Sequence, residues 1–375
     1  ERPSPSTGAP PLQLVIRAGR VGGGNSGHGH ADALSVHLSA GGEEWLTDPG
    51  TFRYISAGPE REYFQSTAAH NTLVVDGVSQ AEPAGPFAWR SLAEVRVVHW
   101  ITGEKFDLFE GAHNGYHRLL SPVTHRRWVV HCKPKFWLVR DAAQGSGEHQ
   151  IDIFWHFAPR LAPSYTPPGL TMAPPPNSGP RGSFTGMMVL PAEGHGWSQE
   201  IERGRVSPAY GAEDAAAVIH FGTRASLPAE FAVALEPLTE SPAKLGRLTS
   251  IISRPEKTDA RGFHYQRSDG LYLFIFAGEA RDWQLEAWKS DARFVHCHAG
   301  EERRAPYFAL CEGTYFEISG QRLITCRERV ERYEVSFSNQ QPTVLSSDPN
   351  ATVICNFDGL VAALRNDPLF LGSEA

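Results

Sequence analysis

The chain has 375 residues with a formal net charge of −7, and it includes 36 glycines and 28 prolines. A chain of this length can build one large core or two domains without disulfide staples. The acidic balance argues against nucleic-acid binding, and no apolar run approaches the length of a membrane span.

Short runs rich in valine, isoleucine, phenylalanine and tryptophan recur along the chain and predict β-strands. The predicted strands are residues 12–18, 94–100, 127–130, 136–140, 151–156, 216–221, 271–277 and 334–337. Residues 159–182 hold eight prolines and are predicted to form a long surface loop or an insertion between strands. A polar stretch at 253–262 marks the predicted boundary between domains 1–262 and 263–375, and residues 359–365 predict a short helix.

Side chains that bind metals concentrate between Gly27 and Gly77. Alternation predicts a strand over residues 28–38, with His28, His30 and Asp32 on a face that continues as an apolar surface. Two imidazoles on the buried side of a strand need partners for their nitrogens, and a divalent cation can supply one.

His30, Asp48 and His70 are therefore a candidate zinc site, because Zn²⁺ takes imidazole nitrogen and carboxylate oxygen in tetrahedral sets. Asp48 is predicted at a strand end before Pro49-Gly50, and His70 is predicted to open a strand that Asp76-Gly77 closes. Histidines donating to backbone carbonyls and an ordinary turn aspartate would explain the same residues without a metal.

Four motifs follow one another in this part of the chain: Gly27-His28-Gly29-His30-Ala31-Asp32-Ala33-Leu34-Ser35, Asp48-Pro49-Gly50-Thr51, Tyr63-Phe64-Gln65-Ser66-Thr67-Ala68-Ala69-His70-Asn71-Thr72 and Val75-Asp76-Gly77. In order and spacing they resemble the heparinase II/III-like family of polysaccharide lyases, which is related to the alginate and oligoalginate lyases. The resemblance is sharp over residues 10–90 and diffuse beyond about 160. One departure is Gln65, where many relatives carry arginine.

The resemblance implies an all-β fold: a large antiparallel β-sandwich, or supersandwich, followed by a smaller β-sheet region. It implies that His30, Asp48 and His70 bind a structural zinc and that His28 faces the sugar. The family also has an N-terminal (α/α) toroid, which supplies a catalytic tyrosine and has no counterpart in this chain. We therefore expect the chain to be the C-terminal portion of a longer protein and to pair with that toroid, with a homodimer as a further assembly to test. The expected location is the bacterial periplasm, the cell envelope or the exterior.

The function expected from the resemblance is cleavage of a uronate-containing acidic polysaccharide, such as a glycosaminoglycan or alginate, by β-elimination. His28 is the candidate catalytic base, and Arg53 is a candidate for neutralising the uronate carboxylate. The predicted substrate-binding residues are Arg53, Tyr54, Arg61, Tyr63 and Asn71.

The main alternative is a β-sandwich module that binds an acidic glycan without cleaving it. A cupin-like enzyme would need a glutamate where Leu34 and Ser35 stand, and a zinc hydrolase would need a glutamate beside His28 and His30. The basic sequence His125-Arg126-Arg127 is interpreted as a solvated strand edge.

Overall fold

The structure is a computed structural model that describes residues 12–19, 27–54, 58–85, 87–175, 184–194, 196–239, 246–251, 260–300, 306–338, 341–346 and 349–371. Contacts divide the chain into two compact units. Unit 1 comprises Glu1–Trp100, Phe106–Val189 and His195–Pro242, and unit 2 comprises Ile101–Lys105, Leu190–Gly194 and Ala243–Ala375. The domain limits 1–262 and 263–375 stay a prediction.

Unit 1 consists of antiparallel sheets around one apolar core. Its strands are β1 (Leu12–Ile16), β2 (Val36–Ala40), β3 (Glu43–Leu46), β4 (Leu73–Val75), β5 (Glu82–Gly85), β6 (Ala88–Ser91), β7 (Val95–Thr102), β8 (Phe106–Tyr116), β9 (Val123–Cys132), β10 (Phe136–Gly145), β11 (Glu148–His156), β12 (Ala162–Thr166), β13 (Gly169–Ala173), β14 (Gly186–Pro191), β15 (Ser198–Val206), β16 (Asp214–Ser226) and β17 (Ala229–Leu238).

Three sheets of unit 1 share that core. The strand orders are β1-β2-β3, β12-β13-β14-β17-β10-β9-β8-β7 and β15-β16-β11-β4, and β5 and β6 form a separate hairpin. Alternate residues of each sheet point into the core, as Leu38 of β2, Val139 of β10 and Ile153 of β11 show. This arrangement confirms the predicted antiparallel β-sandwich.

The segment predicted as a strand over residues 28–38 is extended only from Val36 onward. Residues 27–35 form turns and loops, and Leu34 has a φ of 61°, which an extended strand does not allow. His28 and His30 therefore do not share a strand face with Val36. The chain also contains an unpredicted short helix, α1 (Pro59–Gln65), which begins with proline and carries Glu60 in its first turn.

Two further sequence interpretations are wrong. The proline-rich segment is not a long loop, since β12 and β13 lie within it as a hairpin at the edge of the eight-stranded sheet, where proline is tolerated. Residues 176–182 of that segment lie outside the described residues. His125 and Arg127 are not at a solvated edge either, because β9 is an inner strand paired on both sides and both residues are fully buried.

Unit 2 has its own sheet and core. Its strands are β18 (Arg247–Ile251), β19 (Arg261–Arg267), β20 (Gly270–Phe276), β21 (Trp283–Leu285), β22 (Trp288–Ser290), β23 (Phe294–Gly300), β24 (Tyr307–Ile318), β25 (Gln321–Ser338), β26 (Gln341–Ser346) and β27 (Val353–Cys355), followed by α2 (Phe357–Asn366) and α3 (Pro368–Leu371).

The predicted helix is confirmed as α2, which buries Leu360 and Leu364 in the core of unit 2. Its N-terminus is capped by the side chain of Asn356, which accepts from the Gly359 N–H at 3.0 Å. In the parts of the chain that the structure describes, no helix is long and apolar enough to cross a lipid bilayer.

Candidate functional site

The three predicted metal ligands come together in unit 1, although each lies outside a strand. His30 is in the loop before β2, Asp48 is just past the end of β3, and His70 follows a 3-10 turn at Thr67–Ala69. His30 Nδ1 lies 3.2 Å from His70 Nε2, and His70 Nε2 lies 3.6 Å from Asp48 Oδ2. Ligand atoms on a tetrahedral zinc are about 3.3 Å apart by the usual bond lengths. One ligand atom from each residue lies within 4.8 Å of the others, so the residues fit a metal ion.

His70 is oriented by the backbone of the preceding turn. It is fully buried, and its Nδ1–H donates to the carbonyl of Ser66 at 2.7 Å. This hydrogen bond fixes the tautomer and leaves the Nε2 lone pair directed at His30 and Asp48. A backbone carbonyl on the far nitrogen is the usual support of a metal-binding imidazole.

Asp48 is held in place by the turn that follows it. Its Oδ1 accepts from the Gly50 N–H at 2.9 Å, which leaves Oδ2 to face His70. Gly50 has a φ of 74°, and a Cβ there would lie 2.4 Å from the carbonyl oxygen of Ser207, so the turn requires glycine. Burial alone would raise the pKa of Asp48, but His37 and His70 outweigh it and lower that pKa.

His37 is a neighbour of Asp48 that the sequence analysis missed. Its Nε2 lies 3.5 Å from Asp48 Oδ2, and this interaction raises the pKa of His37. A signal was present, because Gly41-Gly42 between β2 and β3 is a two-residue hairpin turn that brings residue 37 beside the end of β3.

His30 is buried and has polar neighbours on both ring nitrogens. Arg61 Nη1 lies 3.1 Å from His30 Nε2, where it donates a hydrogen bond, and Thr51 Oγ1 is 3.5 Å from the same nitrogen. Burial, reinforced by His70, lowers the pKa of His30 to about 3. His30 is therefore neutral near pH 7 and can offer a lone pair to a cation.

His28, the predicted catalytic residue, is exposed beside this group. Its ring packs edge-on against Tyr54, at 4.8 Å between centroids, and against Phe87 at 5.7 Å. Arg53 is also exposed, and its guanidinium lies 4.9 Å from the ring of Phe52. These residues form an aromatic and cationic surface next to the candidate metal ligands.

Tyr210 belongs to the same surface and was not found from the sequence. It is 66% exposed, and its ring lies 6.2 Å from that of Tyr54. It is placed there by the loop between β15 and β16, where the Gly211 N–H donates to the carbonyl of Phe52 at 2.8 Å. Nothing in the local sequence indicates this pairing of distant loops.

Three predicted substrate-binding residues have internal partners instead. Arg61 is only 2% exposed and lies behind His30. Asn71 is fully buried, with its amide bonded to the backbone of Val36, Thr47 and His156, so its predicted substrate contact is corrected to a structural one. Tyr63 is half-buried, its hydroxyl accepts from the Arg205 N–H at 3.2 Å, and burial raises its pKa.

A second group with metal-ligand chemistry lies on β15 and β16. Glu200, Glu202 and His220 each have one ligand atom within 4.8 Å of the others. However, both ring nitrogens of His220 already lie 2.8 Å from carboxylates, those of Glu202 and Asp152. These ion pairs account for the group without a cation.

Comparison with known proteins identifies the family of this chain. The family described as "Heparinase II/III-like, C-terminal" matches residues 8–236, more than half of the chain. No protein of curated function matches the sequence.

Solved structures share the fold at low sequence identity. Heparan sulfate lyase HepC from Pedobacter heparinus, solved as a mutant, aligns with a TM-score of 0.54 at 18% identity over 70% of this chain and 37% of its own. A crystal structure of heparinase III aligns with a TM-score of 0.58 at 14% identity over 71% of this chain and 39% of its own. The chain thus spans less than two fifths of the length of these structures. On the family match, this chain belongs to the heparinase II/III-like family and contains the region described as its C-terminal part.

Proposed function

We propose that the chain is the β-sandwich part of a polysaccharide lyase that binds one structural zinc ion and cleaves a uronate-containing polysaccharide by β-elimination. The observation that carries the proposal is the convergence of His30 Nδ1, His70 Nε2 and Asp48 Oδ2 beside the exposed His28. Two imidazoles and one carboxylate form a donor set that suits zinc.

Zinc would link the loops that carry His30, Asp48 and His70, and so hold His28 at the surface. Elimination needs no metal-bound hydroxide, which is consistent with a structural role. A neutral His30 that binds through Nδ1 carries its proton on Nε2. Arg61 would then no longer donate to His30 Nε2, and Thr51 Oγ1 would accept a hydrogen bond from the Nε2–H.

The chemical step moves one proton from carbon and breaks one carbon–oxygen bond. A base removes the ring proton next to the uronate carboxylate, the electron pair forms a ring double bond, and the glycosidic oxygen leaves with a proton from an acid. His28 is the proposed base, because it is exposed and its ring is braced by Tyr54 and Phe87.

Arg53 is the proposed contact for the uronate carboxylate. It is exposed, and its cation would stabilise the negative charge that grows on the carboxylate as the proton leaves. Tyr54 and Tyr210 offer aromatic faces beside it for sugar rings. Because the structural relatives are much longer, we propose that the acid and the other wall of the cleft come from an N-terminal toroid. The periplasm, cell envelope or exterior is the proposed location.

The test is the ultraviolet absorbance of an unsaturated uronate on incubation with heparan sulfate, alginate or chondroitin sulfate. The chain should be assayed alone and within a full-length protein that includes a toroid. Activity that His28→Ala removes, with zinc content unchanged, supports the proposal. Activity that is unchanged in His28→Ala contradicts the catalytic role.

A second candidate function is an acidic-glycan-binding module without catalysis. The exposed Arg53 next to Tyr54 and Tyr210 favours it, since that surface needs no toroid to bind a sugar. Binding that Arg53→Gln weakens, with no absorbance change in the full-length protein, would establish this alternative.

A further inference from the structure

A buried ion pair lies directly behind the candidate metal ligands. Arg127 of β9 and Asp141 of β10 stand opposite each other in the sheet, and both are fully buried. Arg127 Nε donates to Asp141 Oδ1 at 2.7 Å, and Nη2 donates to Oδ2 at 2.9 Å. The two parallel hydrogen bonds fix the plane of the guanidinium.

The third nitrogen of Arg127 joins two ligand-bearing segments. Nη1 donates to the carbonyl of Leu34 at 2.8 Å and to that of Asn71 at 2.6 Å. Leu34 follows His30 in the same loop, and Asn71 is the residue after His70. Leu34 also has a φ of 61°, a conformation that a leucine keeps only when its surroundings hold it.

Asn71 extends this connection to the third ligand. Its Nδ2 donates to the carbonyl of Thr47, the residue before Asp48, at 2.9 Å, and to the carbonyl of Val36 at 2.8 Å. The same residue that receives a hydrogen bond from Arg127 therefore ties down the chain next to Asp48. All three ligand segments are linked to one guanidinium through short paths.

The buried charges are balanced within the group. Asp141 also accepts from His125 Nε2 at 2.7 Å, and His125 Nδ1 lies 3.0 Å from His113 Nε2. Burial would raise the pKa of Asp141, but Arg127 and His125 outweigh it and lower that pKa to about 2. The Asp141 carboxylate is ionised, and every side-chain nitrogen of Arg127 donates a hydrogen bond. The effect of the ion pair on its surroundings is therefore to hold the carbonyls of Leu34 and Asn71 in place.

We propose that Arg127, held by Asp141, is a positioning residue that sets the separation of His30 and His70 for metal binding. The inference rests on the metal site of the proposed function and is independent of the lyase chemistry. Loss of the Arg127 contacts would let the loop of Leu34 and the segment of Asn71 move apart. The ligands would then meet the ion in a worse geometry.

The test compares Arg127→Lys with Arg126→Lys in the full chain. Lysine keeps the charge of residue 127 but loses the paired bonds to Asp141. Arg126 is the preceding residue on β9 and is also buried, but its Nε pairs with Glu110 at 2.6 Å on the other face of the strand. The dissociation constant for Zn²⁺ is measured by competition with a chromophoric chelator, well below the unfolding temperature. The visible spectrum of bound Co²⁺ reports the ligand geometry.

We expect Arg127→Lys to weaken Zn²⁺ binding by about 10- to 100-fold and to change the Co²⁺ spectrum, as loss of supporting partners does at other metal sites. Arg126→Lys should keep both at wild-type values. Asp141→Asn should resemble Arg127→Lys, and it provides the measurement if the lysine variant does not fold.

Equal Zn²⁺ affinity and an unchanged Co²⁺ spectrum in folded Arg127→Lys or Asp141→Asn would overturn the inference. So would equal weakening by Arg126→Lys, since that would be a general effect of stability. If the wild-type chain binds neither ion, the proposed metal site itself fails, which is a different result from a tight wild-type site that ignores Arg127.

Discussion

Unit 1 contains two clusters that have the same residue types and different architecture. The open cluster is His30, His70 and Asp48, and the closed cluster is His113, His125 and Asp141. Each places two imidazole nitrogens in contact, at 3.2 Å in the open cluster and 3.0 Å in the closed one. Their composition alone would not tell a metal site from a structural network.

The difference lies in how exposed the carboxylate is and in what balances its charge. In the closed cluster the hydrogen bonds run from His113 through His125 to Asp141. Arg127 neutralises the carboxylate, and Asp141 is fully buried. In the open cluster one atom of each residue faces a shared point, and the Asp48 side chain is 31% exposed. A partly exposed carboxylate without an arginine partner among the described residues suits a candidate ion site, whereas a fully buried carboxylate paired with Arg127 suits a scaffold.

The largest expected effect comes from breaking the closed cluster. Asp141→Ala should lower the free energy of unfolding by about 3–5 kcal/mol, because it leaves the Arg127 cation buried without its partner. Asp48→Ala in zinc-free protein should cost about 1 kcal/mol, the value of one hydrogen bond. Urea unfolding measures the free energy of unfolding of both variants. Equal decreases in the two variants would contradict the distinction between the clusters.

Zinc should act on the open cluster alone. Wild-type protein is expected to hold about one zinc per chain by the three-ligand argument. Zinc at about 100 times its dissociation constant should add about 2.7 kcal/mol to the free energy of unfolding. His30→Ala should lose both effects, whereas His113→Gln should keep the stoichiometry. Elemental analysis measures the zinc content, and thermal unfolding measures the stabilisation by zinc. Full zinc occupancy in His30→Ala would refute the assignment.

The two clusters should respond alike to acid when zinc is absent. Burial lowers the pKa of His30 from 6.5 to about 3 and also lowers the pKa of His125. Below pH 6.5 the unfolded chain takes up protons that the folded chain refuses, so stability falls as the pH drops toward the folded pKa. The slope is at most about 1.4 kcal/mol per pH unit for each histidine.

Urea unfolding at a series of pH values checks this prediction. His30→Gln and His125→Gln should each flatten the profile. Added zinc should steepen the wild-type profile and that of His125→Gln, because protons compete with the ion at the open cluster. A profile that His30→Gln leaves unchanged would argue against a neutral buried His30.

The smallest effect on stability is expected at the rim of the open cluster. Arg53→Gln should change the free energy of unfolding by no more than about 0.5 kcal/mol, because Arg53 is exposed. It should nevertheless weaken the binding of an acidic oligosaccharide and reduce the salt dependence of that binding. Arg224→Gln is the control, since Arg224 lies at the end of β16 that is distant from the Tyr210 loop and is paired with Glu148. Calorimetric titration at two salt concentrations measures the difference.

The strands were largely predictable because apolar alternation is a local property. The predicted strands near β1, β10, β11 and β20 are all present, and the helix α2 is where its pattern indicated. The local rule failed at residues 28–34, where the positive φ of Leu34 turns the backbone. In that conformation the Leu34 carbonyl accepts from Arg127, a residue far along the chain that a local pattern does not bring into view.

The site was predictable in its ligands and less so in its surroundings. His30, Asp48 and His70 stand in distinctive motifs, and the fold brings one ligand atom of each within 4.8 Å of the others. Tyr210 and His37 were missed, and Arg61 and Asn71 were placed on the substrate side although they are buried. Whether a side chain is exposed depends on tertiary packing, which a sequence motif does not reveal.

The sequence by itself determined the fold class, the family and the three candidate metal ligands, because apolar alternation and the order of the motifs are properties of the sequence alone. The tertiary structure decided which of two similar clusters is open and which is a scaffold. The sequence predicted a basic strand edge at His125 and Arg127. In the structure β8 and β10 pair with β9 on both sides, and Asp141 lies opposite Arg127. Long-range pairing in a sheet sets burial and hydrogen-bond direction, and these two properties separate an ion site from an internal ion pair.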